Sequence, residues 1–239
     1  MHATTVLFDL DGTLLPMDQE RFVKAYFGLL ARTMAPLGYA PDRLLKVITD
    51  GIQAMVQNDG AATNEDVFWR VFCAAFGEQA REDIPCFEAF YRNEFQQAKA
   101  ACGFAPRAAQ TVRALKAMGF RVALATNPLF PRVATHSRIR WAGMEPQDFE
   151  LVTTYENSCF CKPDLRYYEE ILGKLQVQPG ECLMVGNDAD EDMVAERLGM
   201  RVFLLTDCLI NRQAQDVSQW PRGSFDALMA YVQEAAAQE

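Results

Sequence analysis

Four short polar clusters carry the side chains most able to do chemistry, and each follows or lies close to an apolar run. They are Asp9-Leu10-Asp11-Gly12-Thr13, Thr126-Asn127, Lys162-Pro163 and Gly186-Asn187-Asp188-Ala189-Asp190-Glu191-Asp192. Taken singly, such groups are ordinary loop polarity. Taken together, carboxylates, a hydroxyl, an amide and an ammonium are a set able to grip an anion and attack it. Asp9 and Asp11 sit at alternate positions of a chain expected to be extended, so both carboxylates face one way. Gly12 permits a tight turn after them, and the Thr13 hydroxyl can tie that loop down. Two carboxylates in one pocket repel unless a cation separates them, and hard oxygen donors beside an anionic substrate suit magnesium.

A sheet is needed to gather these clusters. Residues 4–8 (TTVLF) are β-branched and apolar, as expected of a buried parallel strand whose carboxyl end delivers Asp9. Residues 121–125, 149–153, 182–185 and 201–205 read the same way, with helical stretches over 106–118, 165–175 and roughly 190–198 between them. Alternating strands and helices predict an α/β fold, a three-layer core with a mostly parallel sheet of five or more strands. Ligands in such sheets sit beyond the carboxyl ends of the strands, which is where the clusters fall.

The segment 17–102 breaks the alternation. It shows no convincing strand but amphipathic patterns over 20–34, 41–56, 64–76 and 84–99, punctuated by Pro36, Gly38, Gly60 and Gly77. The expected organisation is therefore a core of 1–16 and 103–239 and an all-helical cap of 17–102, hinged near residues 15–18 and 101–105. A final helix is expected over FDALMAYVQEAAA, after Ser224. The stretch 207–221 reads as a flap or an interface, and oligomeric state is not legible.

With 239 residues, half of them apolar, the chain can bury a large core. A net charge of -9 without a Lys/Arg-rich run argues against nucleic acid as a partner. Seven cysteines, an odd and irregular set, read as reduced thiols, and Cys159 and Cys161 lack a second ligand pair for zinc, with His2 and His136 far off in sequence. No basic leader or apolar run of membrane-spanning length is present, so a cytoplasmic protein without a membrane partner is expected.

Asp9-Leu10-Asp11-Gly12-Thr13 resembles the Asp-x-Asp-Gly-Thr motif of the haloacid dehalogenase-like superfamily, and the later clusters occur in that family's order. The resemblance implies a Rossmann-like core with a helical cap inserted after the first motif. It implies a magnesium-dependent phosphatase acting on a small phosphorylated metabolite through an aspartyl-phosphate. Asp9 fits the nucleophile, and Asp11 the acid that protonates the leaving alkoxide and later deprotonates water. By resemblance, Thr126 and the Asn127 amide hold a phosphoryl oxygen and Lys162 neutralises charge. Expected metal ligands are Asp9, the Asp11 backbone carbonyl and Asp188, with Asp192 as a supporting carboxylate. The usual acidic motif has Asp where this chain has Asn187, so Asn187 or Asp190 remains an alternative ligand; Asp190 and Glu191 otherwise read as first-turn helix acids. Asp11 argues against a dehalogenase, whose halide leaves without a proton. A phosphomutase is the enzymatic runner-up, though no histidine follows the first motif, and a silent phosphometabolite-binding protein is the alternative of another class.

Overall fold

The structure, a computed structural model, describes residues 3–237. A five-stranded sheet runs in the order β2-β1-β3-β4-β5, all neighbours parallel. Its strands are β1 (Thr5–Phe8), β2 (Arg121–Leu124), β3 (Cys182–Gly186), β4 (Arg201–Leu205) and β5 (Arg222–Gly223). Period-two alternation explains why both faces are covered. Val6, Phe8, Leu124, Val185 and Phe203 point into one apolar cluster, whereas Leu7, Ala123, Met184, Val202 and Leu204 point into another. The first face is closed by α5 (Pro106–Ala117), α6 (Arg132–Trp141) and α8 (Phe225–Ala237), through Val112, Ile139 and Leu228. The second is closed by α7 (Leu165–Leu175), through Tyr167, Tyr168 and Ile171. Val6, Leu7 and Phe8 are fully buried, each contributing roughly 1.5–3 kcal/mol by leaving water.

Between β1 and α5 come α1 (Gln19–Met34), α2 (Pro41–Val56), α3 (Asn64–Phe76) and α4 (Ile84–Arg92). The Asp18 carboxylate accepts from the Arg21 amide at 2.9 Å and starts α1, and Thr63 caps α3 through the Asp66 amide at 3.2 Å. Pro41 opens α2, where its missing N–H costs nothing. The chain leaves and re-enters the core side by side: Met17 bridges Cys102, and the Gly103 amide donates to Pro16 O at 2.7 Å. Aromatic rings seat the helices on the core, with Phe95 against Trp141 (centroids 5.1 Å apart) and Tyr26 against Phe130 (5.4 Å).

Three expectations need correction. Residues 149–153 form no strand: after a bend at 149–150 they lie beside β2 with one isolated bridge, Leu124 to Val152, held by the Glu150 amide on Val122 O, the Leu124 amide on Leu151 O and the Thr153 amide on Leu124 O, while the Thr153 hydroxyl turns inward to Thr126 O at 2.6 Å. The fifth strand is instead the two-residue β5. The helix expected over 190–198 is a turn followed by a 3₁₀ segment, Met193–Leu198, closed by Gly199 at φ 90°. The fourth cap helix stops at Arg92 and continues as 3₁₀ turns over Glu94–Ala101. Among the described residues no helix is long and apolar enough to cross a membrane.

Candidate active site

β1 sits where the strand order reverses, so its carboxyl end opens into a crevice between β2 and β3. Asp9 is the first residue beyond it, held in register by its amide on Val185 O at 2.9 Å. The chain then turns tightly, with the Gly12 amide on Leu15 O and the Leu15 amide on Leu10 O, both 2.8 Å. Gly12 has φ +89°, and a Cβ there would lie 2.4 Å from Asn187 Nδ2, so conformation and space both require glycine.

Asp9 is buried between two donors. Its Oδ1 accepts from Lys162 Nζ at 2.9 Å. Thr13 Oγ1 lies 3.0 Å from its Oδ2 and 2.8 Å from Asn187 Oδ1, and the single hydroxyl proton serves either acceptor. Lys162 also donates to Asp192 Oδ1 at 2.6 Å, and its side chain and that of Asp192 are each 1% exposed. Burial opposes the Lys162 charge, but Asp192 and Asp9 outweigh it and hold the ammonium well above its ordinary range. Burial pushes the Asp192 carboxyl up, with Lys162 opposing. Asp192 Oδ2 accepts the Asp188 amide at 2.9 Å, and a Cβ on Gly186 would fall 2.0 Å from that same oxygen. Gly186 is thus glycine because Asp192 occupies its side-chain space.

Asp9, Asp11, Thr126, Asn127, Asn187, Asp188, Glu191 and Asp192 line one cavity of about 200 Å³, roofed by Gln19, Phe22 and Val23 from α1. Asp188 Oδ1 accepts the Asp190 and Glu191 amides at 2.8 and 3.0 Å. Asn187 donates through Nδ2 to Cys208 O at 2.6 Å, which leaves its Oδ1 beside the Thr13 hydroxyl. Asp190 is outside the described lining and accepts from Gln215 Nε2 at 2.5 Å, so it is not brought to the site as a substitute ligand. Glu191, expected to be a first-turn surface acid, lines the cavity and accepts from Asn127 Nδ2 at 3.1 Å. Burial raises its carboxyl. Among the described residues no three His, Cys, Asp or Glu side chains are gathered as a metal cluster. Of the expected ligands, Asp9, Asp11 and Asp188 all line the cavity.

Two arginines escaped sequence reasoning. Arg138 on α6 is fully buried and pairs through Nη1 with Asp11 Oδ2. Its helix, RVATHSRIRW, has no apolar stripe, and nothing in the pattern distinguishes this arginine from Arg132 or Arg140. Burial raises the Asp11 carboxyl, while Arg138 opposes the rise. Arg212, from the stretch read as a flap or an interface, donates to Asp188 Oδ2 at 2.7 Å and to Gln19 Oε1 at 3.0 Å, tying that stretch to α1.

The chain spans about half the length of the curated relative it matches, a glyceraldehyde 3-phosphate phosphatase of Methanothermobacter thermautotrophicus. The two are 27% identical over 115 residues, 48% of this chain and 50% of the relative. A 2-haloacid dehalogenase from Pseudomonas syringae pv. tomato shares the fold with a TM-score of 0.63 and 20% identity, over 100% of this chain and 99% of its own. The HAD-hydrolase YfnB of Bacillus subtilis, solved bound to magnesium, shares it with a TM-score of 0.55 and 17% identity, over 97% and 99%. The model of the haloacid dehalogenase-like hydrolases matches residues 3–199, which carry every cluster described above, and the chain belongs to that family.

Proposed function

We propose that this chain is a magnesium-dependent phosphatase that hydrolyses a small phosphomonoester in the cytoplasm through a phosphorylated Asp9. The observation that carries this reading is the second carboxylate, Asp11, in the same cavity as an Asp9 already paired with a buried Lys162. A halide needs no proton to leave; an alkoxide does.

Asp9 attacks phosphorus, forming one P–O bond as the bond to the alcohol oxygen breaks, and Asp11 gives that oxygen its proton. Water then attacks the phosphoryl group, Asp11 takes the water's proton, and Asp9 is released with inorganic phosphate. Thr126 and Asn127 bind phosphoryl oxygens, and Lys162 holds Asp9 in place while offsetting negative charge. Asp192 orients Lys162.

The donor set fits magnesium. Five carboxylates line the cavity (Asp9, Asp11, Asp188, Glu191 and Asp192), against three cations that contact them, Lys162, Arg138 and Arg212. A phosphate entering this negative excess needs a further, hard cation. Asp9, the Asp11 carbonyl and Asp188 would hold it, and it supplies neutralisation of the phosphoryl oxygens. The division into a core of 1–16 and 103–239 and a cap of 17–102 belongs to this reading, the cap closing over the leaving group through Phe22 and Val23.

The test is magnesium-dependent release of p-nitrophenol from p-nitrophenyl phosphate, lost in D9N, followed by a panel of phosphorylated sugars, nucleotides and short-chain phosphates. Absence of turnover across the panel with magnesium present would refute the reading.

A further inference from the structure

Arg138 has no assigned part in the chemistry, yet its placement is unusual for a structural residue. Its side chain is 1% exposed. The guanidinium carbon stacks 4.2 Å over the Phe130 ring, Nη2 reaches Thr135 Oγ1 at 3.3 Å, and Nη1 pairs with Asp11 Oδ2. Its Nε is buried with no hydrogen-bond partner among the described residues. A buried arginine serving packing alone is expected to satisfy its donors. This one leaves a donor empty while keeping its contact with Asp11.

Asp11 shows the complementary pattern. Oδ2 is taken by Arg138, whereas Oδ1 is buried and has no partner among the described residues, although Asp11 lines the cavity. We infer that Arg138 is a positioning residue: by clamping Oδ2 it fixes the Asp11 side chain so that Oδ1 meets the leaving-group oxygen and, later, the attacking water. The inference rests on the phosphatase reading. Arg138 itself is not among the cavity-lining residues, so it acts through Asp11 rather than on substrate. The clamp is anchored in α6, which packs on the sheet side through Ile139 and on the inserted helices through Trp141. Phe130 also lines the cavity, so the ring that stacks on the guanidinium shapes the space beside Asp11.

In the first step the P–O bond to the alcohol breaks, its electron pair stays on the alcohol oxygen, and the proton on Oδ1 moves to that oxygen. In the second, one proton of the attacking water returns to Oδ1 as the P–O bond to Asp9 breaks. A misaimed Asp11 therefore harms esters of strongly basic alkoxides more than esters of p-nitrophenolate, which leaves without help. The experiment compares kcat/KM for p-nitrophenyl phosphate and for a simple alkyl phosphate in the wild type, R138M, R138K and D11N. Both rates are expected to fall in R138M, the alkyl ester at least ~10-fold further, in the same sense as D11N, whose general acid is worth about 100-fold or more. R138K, which keeps a cation near Oδ2, is expected to restore part of the ratio. Equal losses on the two esters in both arginine variants, or no loss, would overturn the inference. If R138M does not fold, R138Q, which removes the charge while keeping a polar side chain, takes its place in the comparison with R138K and D11N. A wild type that hydrolyses neither ester overturns the phosphatase reading, and this role with it. A wild type that hydrolyses both, with an unchanged ratio in the arginine variants, removes only Arg138.

Discussion

Replacing Lys162 with methionine should be among the most damaging single changes to the fold as well as to the chemistry. The ammonium sits 2.9 Å from Asp9 and 2.6 Å from Asp192, with side-chain exposures of 1% for Lys162, 10% for Asp9 and 1% for Asp192. Methionine keeps the stem's volume and removes the charge, leaving two buried carboxylates facing one another. Breaking a buried pair by removing one partner costs roughly 3–5 kcal/mol. For a chain of this size each kcal/mol moves the melting point by about 2–4 °C, so a drop of about 6–20 °C is expected. The loss also depends on pH in a definite direction. Burial raises the Asp192 carboxyl in the fold above its unfolded value, and without Lys162 only the Asp188 amide opposes that rise. The variant's stability is therefore best below the unfolded carboxylate range and declines as pH rises through the folded value, so its deficit against wild type should shrink between about pH 7.5 and about pH 5. Urea titration at the two pH values measures this. Adding D192N to K162M should return part of the loss, giving a coupling of about 1–3 kcal/mol. A deficit under ~1 kcal/mol, equal at both pH values, would mean that Lys162 does not neutralise these carboxylates.

Other consequences follow from the same geometry. G186A puts a Cβ 2.0 Å from Asp192 Oδ2, so it should displace the carboxylate, lower melting by an amount equivalent to about 1–3 kcal/mol and reduce turnover at least ~10-fold; wild-type kinetics in this variant would show that Asp192 need not lie there. D188N should raise the magnesium needed for half-maximal rate by about 10-fold or more while N187A changes it less, because only Asp188 offers a carboxylate; magnesium titration of turnover ranks the two, and the reverse order would move the ligand to Asn187. Cys161 is 2% exposed, and burial pushes its thiol up to about 12; iodoacetamide at neutral pH should leave it unmodified until urea unfolds the chain, as peptide mass spectrometry would report.

Much of this was legible because strands and first-turn signals are local. Residues 4–8 and 201–205 announced buried strands by β-branched and apolar runs, and Pro41, Asn64 and Leu165 begin helices where proline, threonine and aspartate caps precede or open them. The residues that failed depend on tertiary partners. Arg138 lies in a helix with three charged and four apolar side chains, and its partners Asp11 and Phe130 come from outside that helix. Residues 149–153 carry a strand-like pattern, but only Val152 bridges β2, and past Thr153 the chain turns away so that the Tyr155 amide meets Phe130 O. β5 has two residues, too few for any propensity to register. Glu191 looked like a helix-start acid because the sequence around it suggested a helix that the chain does not form.

The neck formed by Met17 and Cys102, with Gly103 bonded to Pro16, makes the four-helix segment a side branch rather than a link in the sheet. Insertions or deletions along that branch leave the spacing of the two stems untouched, so its length can change while Asp9 stays put. What resists simple pruning is the apolar surface it shelters: a chain joined directly from Pro16 to Gly103 would bare Phe130, Trp141, Tyr155 and Cys161 to water. Polar replacements across that surface, rather than a rebuilt sheet, are what a stripped-down ancestor or engineered descendant of this protein would require.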